Sequence, residues 1–260
     1  MFRFLVLFFC IALTASCPAQ SLLRPAAMIA WGDNQWLLAD AGTGELFLVE
    51  SDGEYQRHTF GATLREPVAL ARDGVFLLCF DRSENTIVKL NRRLEVVETM
   101  PLPVEYRNRF RNLLAVTQFG ERLLIETDRN EIIAFDAFAK ETWRIPLPLT
   151  QSVLALSACG DSIAVLFDSS DNIQRGIFTT RFGGTMKSWQ VPTSVMPMQT
   201  IIVQDRSCWA LRNHQLWRIS NDSTAITQLD TIATPWLLAA SSRHSLAFYT
   251  SSGIRILPWR

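Results

Sequence analysis

The sequence is short of the features that usually announce a chemistry. It has no excess charge of one sign, since 25 Lys+Arg meet 25 Asp+Glu. That balance gives no general attraction to phosphate and excludes electrostatic nucleic-acid binding. Five Cys in 260 residues are too sparse for a disulfide scaffold. No CxxC pair occurs, which removes zinc-ribbon and thioredoxin-type chemistry. GxSxG, HExxH, P-loop and GxGxxG patterns are all missing, and no Ser has a motif that would activate it as a nucleophile. After the N-terminus no apolar run reaches the roughly 20 residues of a membrane helix. Disorder is excluded by what is present, 48% hydrophobic residues with no net charge to expand the chain.

The N-terminus carries an address. Met1-Phe2-Arg3 is a short basic start, and Phe4 to Ala15 is an apolar run of 12 residues counting Thr14. That run is too short for a stable span and has the length of a secretory h-region. Ala15, Ser16, Cys17, Pro18 and Ala19 follow as small residues. Cleavage after Ala19 makes residues 1–19 a signal peptide and 20–260 the mature domain, with Gln20 first. Losing Arg3 leaves 24 Lys+Arg against 25 Asp+Glu, a net charge of −1. The rival reading is a lipid anchor on Cys17, since Leu13-Thr14-Ala15-Ser16-Cys17 resembles a bacterial lipobox with Leu one place early. Either way the sequence predicts export, to a periplasmic or extracellular site or to a lipid anchor in the envelope. Cys79, Cys159 and Cys208 remain, an odd number, expected as small buried hydrophobes.

The rest of the chain repeats itself. Apolar blocks of four to seven residues are broken by Gly, Asp, Asn, Ser or Pro every eight to twelve residues, which is strand spacing. One copy runs from Pro67 through Val-Phe-Leu-Leu-Cys-Phe-Asp81 to Thr-Ile-Val-Lys-Leu90. Others run Leu113 to Phe135 and Val153 to Asn172, and an earlier one runs Met28 to Val49. Each unit is strand, Gly turn, strand ending in Asp, polar turn, strand, turn, outer strand. First strands are expected near residues 28, 67, 112, 152, 199 and 236, at intervals of about 37 to 47. A four-stranded unit at that period is the signature of a β-propeller blade. The last copy, Trp236 to Pro258, holds three strands. Ser21–Pro25 is expected to supply its fourth and so cover an open edge. The expectation is an all-β, six-bladed propeller of four-stranded blades, closed by the N-terminal strand.

This recurrence of Gly, apolar strand, Asp, polar turn with Asn and apolar strand resembles the NHL type of six-bladed propeller. The resemblance covers nearly all of the mature chain and implies architecture rather than activity. Arg212 and Thr250 depart from it, standing where other units have Asp.

Asp40, Asp81, Asp128 and Asp168 are expected to close second strands and accept hydrogen bonds from turn N–H groups. Channel entries fall at Glu66, Asn112, Gln151 and Gln199. Six-bladed lactonase and paraoxonase-like hydrolases hold calcium at such positions, so that resemblance implies calcium as the alternative cofactor and a lactonase or esterase as the alternative activity. Calcium prefers carboxylates, and here only Glu66 is acidic. Glu105-Tyr106-Arg107-Asn108-Arg109-Phe110-Arg111-Asn112 is the sharpest local feature. If extended, its period of two puts the guanidiniums of Arg107, Arg109 and Arg111 on one side, beside Tyr106. Arginine clusters bind carboxylates and phosphates. His58, His214 and His244 fall on separate elements and do not form a metal site or a relay. Trp36, Trp143, Trp189, Trp209 and Trp217 are expected between blades, and Trp31 and Trp236 near first strands. Connections are short, and the longest, Pro101–Asn112, carries the arginines. The sequence therefore predicts a monomeric, non-enzymatic binding or scaffold module without a cofactor. Its entry-loop face would meet a protein partner or an anionic ligand, with no nucleic acid and no transmembrane segment involved.

Overall fold

The structure, a computed structural model, describes Leu22 and residues 24–32, 35–50, 55–61, 63–147, 152–160, 162–167, 175–180, 187–190, 200–204, 207–212, 215–219, 226–231, 236–241, 245–250 and 253–258. From 175 onward it describes only some of the side chains. Residues 1–19, with Cys17, and Asp168, Gln151, Gln199, His214 and His244 lie outside the described residues, as do the side chains of Cys159, Trp189, Cys208, Trp209, Arg212, Trp217 and Trp236.

Blade one is β1 (Pro25–Ala30), β2 (Gln35–Asp40), β3 (Glu45–Glu50) and β4 (Tyr55–Thr59), antiparallel in chain order. Blade two is β5 (Pro67–Asp73), β6 (Phe76–Asp81), β7 (Thr86–Leu90) and β8 (Val96–Pro101). Blade three is β9 (Ala115–Val116), β10 (Arg122–Glu126), β11 (Glu131–Phe135) and β12 (Glu141–Pro146). Blade four is β13 (Val153–Cys159), β14 (Ser162–Phe167), β15 (Arg175–Thr180) and β16 (Lys187–Gln190). These four carry most of the described core. A further four-stranded sheet follows, β17 (Thr200–Gln204), β18 (Ser207–Arg212), β19 (Gln215–Ile219) and β20 (Ile226–Thr231). The chain ends in a sheet of β21 (Trp236–Ser241), β22 (Ser245–Thr250) and β23 (Gly253–Pro258).

The second strand of each of the first four blades is buried on both faces, so its apolar residues run on without alternating. Trp36 to Asp40, Leu77 to Asp81, Arg122 to Glu126 and Ile163 to Phe167 are all buried. Period-two geometry still sorts them. Leu77 and Cys79 pack toward blade one with Leu37, Ala39 and Leu46. Leu78 and Phe80 pack toward blade three with Leu124, Ile133 and Phe135. Leu123 and Ile125 pack toward blade four with Ile163, Val165 and Phe167. The core is thus a series of layers between neighbouring sheets, and each large side chain buried there contributes roughly 1.5–3 kcal/mol. Outer strands face water, and β4 has no buried residue.

Four expectations are corrected. The ring is not a set of six equal four-stranded blades, because the last sheet has three strands. The N-terminal strand does not close it, because β1 begins at Pro25 and pairs with β2 inside blade one. Closure is instead by side chains: β1 lies beside β21, and Met28, Trp36, Leu38 and Val49 share one core with Ala240 and Ala247. Apolar packing between sheet faces needs no exchanged strand. Third, the first strand of blade three is only two residues, because the preceding segment is not extended. Val104–Tyr106 is a 3-10 turn, Asn108 has a φ of 61°, and only Phe110 bridges to Glu126. Fourth, β10 ends at Glu126, and Asp128 sits out in the turn beyond it.

Burial conforms to expectation at other positions. Cys79 is a free thiol, fully buried, and burial pushes its pKa up, with the charge of Asp81 adding to the shift. Trp36 is fully buried between blade one and the last sheet. Trp143 packs between blades three and four, and its Nε1 donates to Glu121 Oε1 at 3.0 Å. Trp31 packs against the layer between blades one and two, with the Arg72 guanidinium 6.0 Å from its ring centroid. His58 lies on the outer strand β4, and partial burial lowers its pKa.

Candidate functional site

Antiparallel order puts the turns between second and third strands on the same face as the segments that enter each first strand. One carboxylate ties these two pieces together in each of the first blades. Asp81, fully buried at the end of β6, accepts from the backbone N–H groups of Arg65 and Glu66 in the entry segment. It also accepts from Ser83 Oγ at 2.9 Å and Glu84 N–H at 3.1 Å in the turn. Asp40 does the same in blade one, accepting from Arg24 N–H at 3.0 Å and Gly42 N–H at 2.7 Å. In blade three the buried acid is Glu126, which accepts from Arg129 N–H at 2.7 Å.

Four residues after each acid comes a backbone turn into the left-handed region: Gly44, Asn85 and Asn130, with φ of 73°, 55° and 54°. The Asn85 and Asn130 carbonyls then receive the next connection, from the N–H groups of Leu102 and Leu147 at 2.9 Å. Acid, three residues, then Gly or Asn is therefore the spacing that marks the clamp. It picks out Glu126 over Asp128.

Arginine side chains link blade to blade on this face, by an ion pair or by hydrogen bonds to neutral groups. Glu66 at the entry of blade two takes Arg24 from blade one at 2.5 Å and a two-pronged contact from Arg82. Arg82 Nη1 also donates to Asn112 Oδ1 of blade three at 3.3 Å. Arg111 Nη2 donates to Ser152 Oγ of blade four at 3.3 Å. Arg65 pairs with Glu84 at 3.1 Å.

The three guanidiniums of the arginine cluster diverge, because the segment turns at Asn108 instead of running extended. Arg109 is bound to its own blade, with Nε 2.9 Å from Glu126 Oε1 and Nη2 2.9 Å from Asp128 Oδ2. Arg111 points to blade four and makes no ion pair among the described residues, and its Nε is buried without an acceptor. Arg107 is exposed and has no ion pair among the described residues. Tyr106 belongs to the core, its ring 5.2 Å from Phe110 and 5.8 Å from Phe135. Its hydroxyl donates to Glu141 Oε2 at 2.9 Å, and burial followed by that carboxylate raises its pKa. Arg24, Arg82 and Ser152 belong to the face too, and nothing in the repeat marked them.

The described residues do not fit the calcium reading. Arg82, the leading cause, and Arg24 hold the Glu66 pKa below the ordinary carboxylate value against the opposing effect of burial. Two guanidiniums stand where a cation would have to approach, and the Asn112 oxygen is taken by one of them. No group of three His, Cys, Asp or Glu among the described residues could hold a metal ion.

The lowered pKa has a consequence for pH. Glu66 binds its proton less readily folded than unfolded, so its contribution is complete above the unfolded value of about 4.3. It is lost as pH falls through the lower folded value. The melting temperature of Glu66→Gln is therefore expected to lie below wild type at pH 7, with the gap closing as pH is lowered to 3. An equal gap at both pH values would show that Glu66 acts without its charge.

No protein-family model and no curated protein sequence matches the chain. Among solved structures it is similar to a streptogramin B lyase, at 15% identity over 91% of this chain and 83% of that one, with a TM-score of 0.62. It is similar to virginiamycin B lyase from Staphylococcus aureus, at 15% identity over 93% of this chain and 86% of that one, with a TM-score of 0.57. It also matches the β-propeller domain of Myceliophteria thermophila Cps50, at 9% identity over 91% of this chain and 97% of that domain, with a TM-score of 0.57. The chain folds as a β-propeller. At these identities the likeness carries the fold alone, since propellers serve lyases and other roles alike. The propeller's own side chains have to supply the functional reading.

Proposed function

We propose that this propeller is an exported, monomeric, non-enzymatic binding module of NHL-like repeat pattern, offering its channel-entry face to a protein partner or an anionic ligand. Export is supported by the composition of residues 1–19, and cleavage would leave Gln20 as the first residue. The binding face rests on one observation. Arg24, Arg65, Arg82 and Arg109 are each held by a carboxylate, whereas Arg107, Arg111 and Arg129 on the same face make no ion pair among the described residues. Guanidiniums with free donors are the groups that recognise carboxylates and phosphates.

The test is charge reversal at Arg107 and Arg111 together. Arg109 is left alone, because a carboxylate there would face Glu126 and Asp128 and disturb the fold. Arg107→Glu/Arg111→Glu is expected to melt within a few degrees of wild type and to lose the partner retained by the wild-type protein in a pull-down. Full retention by a folded double variant would remove this face from the reading.

A further inference from the structure

Resting on the entry-face reading, we infer that Arg111, at the junction of blades three and four, is the point where a carboxylate group of the ligand docks. The segment that carries it is fixed. Arg111 N–H donates to the Ile125 carbonyl at 2.9 Å, and the Arg109 carbonyl receives Thr127 N–H at 2.8 Å, so the backbone is pinned to β10 on both sides of Phe110. Phe110 is buried, with its ring edge-on to Phe80 and Phe135 at 6.2 and 5.9 Å. The guanidinium therefore sits on a rigid base, which lowers the ordering cost of binding.

Its chemistry is unfinished. Among the described residues its one side-chain partner is the Ser152 hydroxyl, and its Nε is buried without an acceptor. Its neighbours on either side are ion-paired, Arg82 with Glu66 and Arg109 with Glu126 and Asp128. A positive charge with no ion-pair partner among the described residues, beside a hydroxyl donor, matches a carboxylate, with a single negative charge and two oxygens, better than a doubly charged phosphate. Half-burial strengthens the pairing relative to open water. Arg107 and Arg129 are exposed on the same face and add attraction rather than fixed contacts.

A carboxylate can arrive on a free dicarboxylic acid or on the side chains of an acidic peptide. Calorimetric titration of the purified chain with succinate and, separately, with a penta-glutamate peptide distinguishes the two. Saturable binding of succinate assigns the free acid, and binding of the peptide alone assigns a protein partner. Either probe is expected to bind about ten- to hundredfold more weakly to Arg111→Ala, as for a lost hydrogen-bonded ion pair. Arg111→Lys keeps the charge, loses the fork and is expected to fall between, which preserves the test if the alanine variant does not fold. Arg107→Ala is expected to cost no more than a few-fold, and Arg92→Ala, on the opposite face, nothing.

An unchanged affinity in both Arg111 variants, with loss in Arg107→Ala, would overturn the assignment and leave the entry-face reading standing. Equal loss in Arg92→Ala would mean unspecific attraction and overturn both. Binding of neither probe would overturn the carboxylate, while the partner pull-down would still judge the face. The connection from β14 to β15 carries Asp171. Binding that appears only in Asp171→Asn would show that the chain neutralises Arg111 itself, and would overturn the inference.

Discussion

Asp81→Ala is expected to lower the melting temperature by roughly 10 °C. The carboxylate is fully buried and accepts from two backbone N–H groups of the entry segment and from a hydroxyl and an N–H of the turn. Hydrogen bonds to a charged acceptor contribute about 1.5–3 kcal/mol each, and the donors left behind are partly buried. Such bonds are not additive, and a total near 3–4 kcal/mol is about 10 °C for a chain of this length. Asp81→Asn keeps one acceptor oxygen and is expected to lose about half as much. Thermal melts of the three proteins decide the matter. A drop of only 2 or 3 °C in the alanine variant would mean that water takes over the carboxylate's bonds and that the clamp adds little.

Gly44→Ala is expected to be nearly as damaging, for a different reason. A Cβ on Gly44 would stand 2.7 Å from the Leu64 carbonyl oxygen and 3.0 Å from that of Arg65. Both obstacles are backbone of the neighbouring blade and cannot rotate away. The φ of 73° adds about 1–2 kcal/mol for a residue with a Cβ. Gly74 supplies the internal control, since its φ is 60° but a Cβ there would meet nothing within 4 Å. Gly74→Ala is therefore expected to lose only the backbone share, roughly 1 kcal/mol, and Gly44→Ala two to three times that. Equal losses at the two positions would show that blades one and two are not in close contact there.

Both predictions concern one device, the fastening of a turn to an entry segment, and it was half legible in the sequence. The recurring Asp and the polar turn could be read, because hydrogen bonding to the turn is local. The second set of donors, Arg65 and Glu66, could not, because they precede Asp81 by fifteen residues or more and meet it only when the sheet forms. In blade three, sequence alignment followed the residue type and chose Asp128. The fold followed the spacing to the left-handed residue and used Glu126.

The strands themselves were legible to within a few residues in blades one and two, since strands buried on both faces need long apolar runs, although β1 begins at Pro25 rather than near residue 28. Closure was not, because a missing fourth strand has an edge that invites pairing, while the actual closure is apolar contact between Trp36, Leu38 and Ala247, which leaves no local pattern. The arginine cluster failed as a unit for a similar reason. Its period of two holds only in extended backbone, and Asn108 in the left-handed region breaks it. What remains of the cluster is Arg111, with Arg107 exposed on the same connection.

The most direct test of the channel-entry face as the working face is a matched pair of charge reversals read in one partner-retention experiment. Arg107→Glu/Arg111→Glu alters the entry face, and Arg92→Glu/Arg93→Glu places the same charge change on exposed arginines of the β7–β8 turn at the other face. Loss of the partner in the first variant and full retention in the second is the predicted result. Retention in the first with loss in the second would put the working surface on the opposite face and contradict the account.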